Sequence, residues 1–350
     1  RMPSRLLRER AARLPTGGVG SASVTLRIGT RGSALALAQC GDVAELITER
    51  TGIATELVPV TTHGDVSQAS LSSLGGTGVF ASALREALLA GVCDIVVHSM
   101  KDLPTAPYPG LVVAAVPERE DARDALCARD GLTLEALPTG ARVGTGSPRR
   151  AAQLLAERSD LVVVDIRGNV GTRLGFVSSG ELDAVVLAVA GLTRLGRTEA
   201  ITEIFELDVW PTAAAQGALA VETLATLDPH GGDDVARAVR AINNPDAFLA
   251  AHAERSVLAG LEAGCSAPVG ASARVGDGTL SLTASVYAGD GSSAVSDDAV
   301  TTLPNLLDPS DPTELDGTGL DARIAVAGRI GFDLAASLLS AGAPGLADRP

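Results

Sequence analysis

The feature that most constrains the fold is the alternation of short apolar strands with helices through the first two thirds of the chain. The predicted elements run as strand 25–31, helix 34–50, strand 54–60, helix 81–91 and strand 94–100, and again as strand 141–147, helix 148–159, strand 161–166, helix 169–180 and strand 183–192. Such alternation is typical of a parallel or mixed α/β sheet. Because the pattern occurs twice, it predicts two α/β units.

The last third of the chain has a different pattern. Residues 217–225 form one more predicted strand, which we expect to return to the first sheet. Helices are predicted at 232–243 and 246–264, three short strands between Ala267 and Thr302, and a final helix at 321–342. This grouping predicts a small α+β domain.

The composition argues against several classes of function. The formal net charge of −14 at pH 7 repels phosphate backbones, so nucleic-acid binding is disfavoured. No apolar run reaches the roughly 18 residues needed to span a membrane. Residues 1–23 carry arginines but no apolar segment, and they predict a flexible N-terminal extension rather than a secretory signal.

The four cysteines form no CxxC pair and no Cys/His cluster. This spacing argues against structural zinc and favours a reduced, cytoplasmic protein. Cys40, Cys93 and Cys127 fall in apolar stretches and are predicted to lie in the core, as is His98. Cys265 follows Gly264, which we interpret as the residue that ends a helix. A lone cysteine is most often buried, whereas one on such a loop is more accessible and reactive.

Charged residues follow the ends of the predicted strands. Ligands of open α/β sheets bind at the carboxyl ends of the strands. These positions hold Arg31, Lys101, Asp102, Arg149, Arg150 and Arg167.

Two adjacent arginines begin one predicted helix. Ser147 fits the N-cap and Pro148 the first helical position, so Arg149 and Arg150 lie in the first turn. A cation there faces the positive end of the helix dipole, which is unfavourable by roughly 0.3–1 kcal/mol. Either an anion binds at this helix start, or both side chains point into solvent.

Two other strand-to-helix turns also carry arginine. Arg31 precedes the N-cap candidate Ser33, and Arg167 precedes Asn169, with Arg173 one turn later. Arginine favours bidentate recognition of carboxylates. Three such turns in an acidic protein predict a ligand with several carboxylates.

The segment 97-VHSMKDLP-104 contains the only lysine of the chain. Lys101 and Asp102 either form a surface ion pair or belong to the ligand site. A carboxylate repels an anionic ligand unless that ligand also carries N–H donors or develops positive charge during reaction. Asp102 is therefore a candidate general acid/base or stabiliser of a cation. The histidines have no partners at metal-binding spacing, and we predict no metal site.

Together these segments resemble the porphobilinogen deaminase (hydroxymethylbilane synthase) family. The matching segments are 27-RIGTRGSALALAQ-39, 94-DIVVHSMKDLP-104, 143-VGTGSPRRAAQL-154, 166-IRGNVGTRL-174, 183-DAVVLAVAGLTRLG-196, 216-QGALAVE-222 and 253-AERSVLAGLEAGCSAPVG-270. They occur in family order and cover most of residues 25–290.

The resemblance implies an α/β fold with two periplasmic-binding-protein-like domains around a cleft and a small C-terminal α+β domain. The expected bounds are an extension at 1–23, domain 1 at 24–117 plus 216–236, domain 2 at 118–215 and domain 3 at 237–350. It implies a monomeric transferase of tetrapyrrole biosynthesis. This enzyme condenses four porphobilinogen molecules head to tail, with loss of ammonia, on a covalent dipyrromethane cofactor.

The resemblance also implies roles for individual residues. Asp102 matches the catalytic aspartate, which contacts pyrrole N–H groups and stabilises a cationic azafulvene-like intermediate. The dipyrromethane cofactor is attached to Cys265. Its acetates and propionates are held by residues matching Lys101, Ser147, Arg149, Arg150 and Arg173. The incoming substrate is expected near Arg31, Ser33 and Arg167.

The chain departs from the family pattern at Thr77, where many members carry a lysine in a Gly-rich loop. Two other interpretations use the same motifs: a two-lobed carboxylate-binding module without chemistry, and a folded but inactive homologue. Asp102 and Cys265 would have no role in the first.

Overall fold

The computed structural model describes residues 25–60, 79–264, 267–304 and 318–343. Several predictions concern residues outside these ranges. They are the extension at 1–23, one of the four histidines (His63), the Gly-rich loop with Thr77, and Cys265.

The described residues form two mixed sheets and one antiparallel sheet. The strands, in chain order, are β1 (Leu26–Thr30), β2 (Thr55–Pro59), β3 (Ile95–Ser99), β4 (Leu111–Ala115), β5 (Asp124–Ala128), β6 (Arg142–Gly144), β7 (Val162–Val164), β8 (Ala184–Ala188), β9 (Glu203–Phe205), β10 (Leu219–Leu224), β11 (Val269–Gly276), β12 (Thr279–Tyr287) and β13 (Ala294–Thr302). The helices are α1 (Ala34–Thr51), α2 (Val79–Leu89), α3 (Pro148–Glu157), α4 (Val170–Ser178), α5 (Val189–Arg194), α6 (Asp234–Ile242), α7 (Pro245–Gly260) and α8 (Thr318–Ser340).

The two mixed sheets share one topology. Sheet 1 has the order β2-β1-β3-β10-β4, and sheet 2 has the order β7-β6-β8-β5-β9. In each, three parallel strands are followed by a strand antiparallel to both of its neighbours. The α/β class is therefore confirmed, and so is the return of the chain to sheet 1 through β10.

The predicted helix starts are confirmed by their caps. The side chain of Ser33 accepts a hydrogen bond from the Ala36 N–H, and that of Ser147 caps α3 in front of Pro148. The side chain of Asn169 accepts from the Thr172 N–H at 2.9 Å. Each cap satisfies an N–H that has no partner within its helix, which fixes where the helix begins.

Three strands were not predicted: β4, β5 and β9. The strand β5 is buried along most of its length, so it lacks the alternation that marks a half-exposed strand. It also begins with Asp124, directly after a charged segment. The strand β9 has only three residues, which is too short for a periodic signal.

Helix α7 ends earlier than predicted, at Gly260, so the interpretation of Gly264 as the residue that ends this helix is wrong. Glu262 has the left-handed backbone, with φ 52°. Its N–H donates to Ala259 O at 3.1 Å, and the Ala263 N–H donates to Leu258 O at 2.9 Å. These two bonds form a Schellman motif, which offsets the roughly 1–2 kcal/mol that the left-handed region costs a residue with a side chain.

Helix α6 belongs to the core of sheet 1. Ala238, Val239 and Ile242 are buried in one cluster with Leu26 and Ile28. This packing favours a first domain that extends through Ile242, beyond the predicted limit of 236. The domain bounds as a whole remain a prediction.

The C-terminal unit packs helices α7 and α8 against the antiparallel sheet β11-β12-β13. Its observed elements confirm the α+β prediction. No helix among the described residues is both long enough and apolar enough to cross a bilayer.

Two chain segments connect sheets 1 and 2. One lies between β4 and β5, and the other lies between β9 and β10. They meet where the Glu120 N–H donates to Gly217 O at 3.3 Å. Gly217 has φ 85°, and a Cβ there would collide with the Glu120 backbone, so this crossing requires glycine.

Helices α7 and α8 approach closely through small residues. A Cβ at Gly331 would meet the Ala253 backbone oxygen and lie 2.6 Å from the Ser256 Cβ. Because helical backbone cannot move aside cheaply, we expect Gly331→Ala to destabilise the protein by about 1–3 kcal/mol. Urea denaturation measures this change.

Gly41 in α1 provides the matched control. A Cβ there has no described atom within 4 Å. Gly41→Ala should therefore stabilise the protein by up to about 1 kcal/mol, through helix propensity alone. Equal urea midpoints for the two variants would contradict the close helix contact.

Candidate active site

The centre of the site is Asp124, a fully buried carboxylate at the start of β5. Arg149 Nη2 donates to one carboxylate oxygen at 2.8 Å, and Arg150 Nη2 donates to the other at 2.6 Å. Trp210 Nε1 and Gln216 Nε2 donate to the same group at 3.1 and 2.8 Å. Four donors, two from α3 and two from the segment between β9 and β10, thus converge on one carboxylate.

The arginine pair does not point into solvent. Arg149 and Arg150 are only 2% and 6% exposed. The anion at this helix start is Asp124 itself, which neither expectation included. Burial alone would raise the pKa of the Asp124 carboxyl, but the two guanidiniums outweigh it and hold the pKa well below its ordinary value.

Part of the donor capacity of these arginines is left over. Arg149 also donates to Gln153 Oε1 and Pro211 O, and Arg150 also donates to Val186 O. The Nε–H of each arginine is buried and has no acceptor among the described residues. A buried donor without a partner costs roughly 1–3 kcal/mol. Each is therefore a position where a ligand oxygen would be stabilising.

Gln216 connects this cluster to Lys101. Its Oε1 accepts from Lys101 Nζ at 3.1 Å and from Arg150 Nη2 at 3.4 Å, while its Nε2 binds Asp124. Gln216 lies between two left-handed residues, Ala215 and Gly217, on the second crossing segment. The hydrogen bonds therefore run from the end of β3 in sheet 1 to the start of β5 in sheet 2.

The environment of Lys101 disfavours its charged form. Burial is the main cause, the nearby Arg150 adds to it, and together they lower the pKa of Lys101 to about 8. The carboxylates of Asp102 and Asp124 act in the opposite direction but do not compensate. A bound carboxylate would restore the proton, so anion binding here is linked to proton uptake.

Asp102 is exposed and lies in a short 3₁₀ turn, Met100–Asp102, at the end of β3. Burial, followed by the cations Arg150 and Arg167, lowers the pKa of Arg173, and the charge of Asp102 raises it. Arg173 Nε also donates to Gly168 O at 2.8 Å. Lys101, Asp102, Arg150 and Arg173 thus lie within one electrostatic environment.

The remaining predicted residues lie at the same sheet edges. Arg31 and Ser33 follow β1, which pairs in parallel with β3, so they share the edge of Lys101 and Asp102. The hydroxyl of Ser33 serves as the cap of α1. Arg167 is exposed, and its Nη2 lies 3.5 Å from Asp165 Oδ2. The roles of all these residues remain predictions.

The site carries excess positive charge. Its cations are Lys101, Arg149, Arg150, Arg167 and Arg173, with Arg31 at the adjoining edge of sheet 1, and its carboxylates are Asp102, Asp124 and Asp165. Six cations against three anions leave three positive charges, in a chain whose net charge is −14. This donor set fits a ligand with several carboxylates, such as the dipyrromethane implied by the resemblance.

Sequence reasoning missed Asp124, Gln216 and Trp210. Gln216 opens the quoted segment 216-QGALAVE-222, so a signal for it was present. Asp124 and Trp210 lie in no quoted segment, and only the fold brings them to the arginines.

The other buried groups agree with the predictions made for them. Cys40, Cys93 and Cys127 are buried free thiols. His98 is buried, and its Nε2 lies 3.1 Å from Glu222 Oε2.

Within the described ranges, no three or more His, Cys, Asp and Glu side chains are arranged to hold a metal ion.

Comparison with known families decides the relationship. Residues 26–229 match the family model "Porphobilinogen deaminase, dipyromethane cofactor binding domain", and residues 248–322 match "Porphobilinogen deaminase, C-terminal domain". This chain belongs to the porphobilinogen deaminase family. The suspected resemblance is thereby confirmed.

Curated members of the family are similar along most of their length. The porphobilinogen deaminase of Leifsonia xyli is 63% identical over 266 residues, which cover 76% of this chain and 80% of the relative. The porphobilinogen deaminase of Thermobifida fusca is 56% identical, and the match covers 81% of this chain and 87% of the relative. That of Cutibacterium acnes is 48% identical and covers 92% and 97%.

Solved structures of periplasmic binding proteins also match, at low similarity. A periplasmic substrate-binding protein of Coxiella burnetii is 15% identical, covers 66% of this chain and 97% of its own, and has a TM-score of 0.40. The methionine-binding protein MetQ is 12% identical and has a TM-score of 0.41, and the match covers 62% of this chain and 89% of MetQ. Because both TM-scores lie below 0.5, the α/β assignment rests on the sheet topology.

We expect Asp124→Asn to destabilise the protein by about 3–5 kcal/mol, because two buried guanidiniums lose their counter-ion. The only tryptophan donates to this carboxylate, so its fluorescence should change with the substitution. Denaturant unfolding followed by this fluorescence measures both effects.

The same carboxylate predicts a pH dependence of stability. Its pKa is lower in the folded chain than the roughly 4 of an unfolded chain, so its contribution is complete above about pH 4 and is lost as the pH falls. Stability should therefore decline less on acidification in Asp124→Asn than in the parent. An equal decline of the free energy of unfolding with falling pH in the parent and in Asp124→Asn would contradict the role of Asp124.

Proposed function

We propose that this protein is a hydroxymethylbilane synthase. It condenses four porphobilinogen molecules head to tail, with loss of ammonia, into the linear tetrapyrrole hydroxymethylbilane on a dipyrromethane held by Cys265. The observation that carries the proposal is the excess of cations around the exposed carboxylate of Asp102. Such a site binds a substrate that has carboxylates and also develops positive charge.

The cations bind and orient the carboxylates. Lys101, Arg149, Arg150, Arg173 and the hydroxyl of Ser147 hold the acetates and propionates of the cofactor. The buried Nε–H groups of Arg149 and Arg150 support this role, because neither has an acceptor in the part of the chain that the structure describes. Arg31, Ser33 and Arg167 bind the incoming porphobilinogen, since they lie at the adjoining sheet edges.

The role of Asp102 follows from the charge changes of the reaction. Each condensation breaks the C–N bond of an aminomethyl group, and ammonia leaves. A C–C bond then forms to a free pyrrole α-carbon, which loses its proton. The methylene carbon becomes electron-poor as ammonia departs, so a fixed carboxylate stabilises that charge and accepts pyrrole N–H donors. When bound, the dipyrromethane supplies the pyrrole carbon to which the first unit is joined. After four condensations, water would cleave the bond between the new chain and the dipyrromethane, and its oxygen becomes the hydroxyl of the product.

The protein's surroundings are part of the proposal. The buried free thiols of Cys40, Cys93 and Cys127 are consistent with a reducing cytoplasm. The net charge of −14 disfavours nucleic acid, and we propose no membrane partner. The expected assembly is a monomer.

Intact mass tests the attachment of the cofactor. We expect the purified, denatured parent to be heavier than its sequence by two linked pyrrole units, and Cys265→Ala to have its sequence mass. A parent with bare sequence mass, even after incubation with porphobilinogen, would favour the binding-module or inactive-homologue interpretation.

A second test concerns the single lysine. The cofactor position of the Cys265→Ala protein is open to porphobilinogen, whose carboxylate would then face Lys101. Since Lys101 has a pKa of about 8 before an anion binds, binding at pH 8 or above should be coupled to proton uptake and should weaken as the pH rises. Adding Lys101→Arg should remove this dependence, because a guanidinium stays charged. Calorimetry in two buffers of different ionisation enthalpy measures the proton uptake.

Lys101→Arg in the parent should also lower cofactor loading and turnover. The planar guanidinium is larger than the ammonium and would crowd Arg150 beside Gln216. Normal loading and turnover in this variant would contradict the assigned role of Lys101.

A further inference from the structure

One arginine of the C-terminal unit reaches the turn that carries Asp102. Arg255, on α7, donates from Nη1 to Met100 O at 3.1 Å and to Leu103 O at 2.9 Å. Its Nη2 donates to Pro104 O at 2.6 Å. Three backbone carbonyls that enclose Lys101 and Asp102 thus converge on a single guanidinium.

Two backbone hydrogen bonds also hold the ends of this turn. The Leu103 N–H donates to Met100 O at 3.2 Å, and the Met100 N–H donates to Ala218 O at 3.0 Å. Pro104 has no N–H to contribute. Hydrogen bonds from a charged donor are about twice as strong as neutral ones, so Arg255 provides a large share of what fixes this turn.

The base of Arg255 is itself held firmly. The preceding residue, Glu254, is fully buried and binds Arg119 through both carboxylate oxygens, at 2.7 and 2.9 Å. It also accepts from the backbone N–H groups of Ala215 and Ala273. Helix α7 is therefore anchored to both crossing segments and to β11 at the point where Arg255 leaves it.

We propose that Arg255 is a positioning residue, which fixes the Lys101–Asp102 turn relative to α7. This inference rests on the proposed function, because it assumes that Asp102 acts on porphobilinogen. Helix α7 ends at Gly260, five residues before Cys265 in the sequence. The arginine thus links the carboxylate to the helix that precedes the cofactor cysteine.

The experiment compares Arg255→Gln and Arg255→Lys with a matched control, Arg240→Gln. Arg240 also donates to two loop carbonyls, those of Pro229 and Gly231, but on the exposed side of α6. If any arginine that donates to backbone carbonyls were equally important, kcat would fall in both Arg255→Gln and Arg240→Gln. The intact mass of each protein is measured first, so that the rates can be expressed per cofactor-loaded molecule.

We expect kcat for porphobilinogen consumption to fall roughly tenfold to a hundredfold in Arg255→Gln, as for a displacement of about 1 Å, with KM changed less than about twofold. Arg255→Lys should lie between it and the parent, since an ammonium cannot reach all three carbonyls in the same geometry. Arg240→Gln should keep the parent kcat.

Hydrogen exchange gives a readout independent of activity. Amides of residues 100–103 should exchange faster in Arg255→Gln than in the parent or in Arg240→Gln. Parent-like kcat and exchange in Arg255→Gln would overturn the inference and leave the proposed function intact. A cofactor-loaded parent that consumes no porphobilinogen would instead overturn the proposed function.

Discussion

The arrangement of the site depends on one buried ion cluster, in which Asp124 accepts hydrogen bonds from Arg149 and Arg150. Without this carboxylate, two guanidiniums would be buried side by side at the positive end of a helix dipole. A buried ion pair is weak evidence for stability, since desolvation offsets most of the attraction. What the cluster does provide is orientation. It fixes both arginines and leaves their Nε–H groups without a protein acceptor among the described residues.

The same cluster accounts for the behaviour of Lys101. Through Gln216, the carboxylate of Asp124 and the ammonium of Lys101 belong to one hydrogen-bonded chain that joins sheet 2 to sheet 1. Burial, and after it the charge of the neighbouring Arg150, disfavours a second fixed cation there. The Lys101 ammonium, with its pKa of about 8, can release its proton slightly above neutral pH, whereas a guanidinium cannot. This difference gives a physical reason for a lysine in a chain whose other long basic side chains are all arginine.

The sequence was informative where the structure depends on local contacts. Ser33, Ser147 and Asn169 cap helices through hydrogen bonds that span three residues. Because these contacts are local in the sequence, the three residues indicate where the helices begin. The cluster around Asp124 is different, because its partners lie 25 to 92 residues away. No periodicity or spacing encodes such contacts. The motif match identified the arginines, but not the carboxylate that holds them.

Local rules also failed where backbone geometry departs from residue preference. Gly264 is the natural choice for a left-handed helix end, yet Glu262 occupies that conformation because two backbone bonds compensate. The same early ending of α7 leaves four residues between Gly260 and Cys265 in the sequence. Glu254 binds α7 to the crossing segments, and Arg255 binds it to the turn that carries Asp102. The same helix leads toward Cys265 in the sequence.

The central claim is that Asp102 stabilises positive charge as ammonia leaves porphobilinogen. The most direct measurement is the rate of ammonia release by the parent and by Asp102→Asn, both folded and both shown by intact mass to carry the cofactor. The account predicts catalytic release by the parent and a rate at least about a hundredfold lower in the variant. Equal rates in the two proteins would contradict the claim.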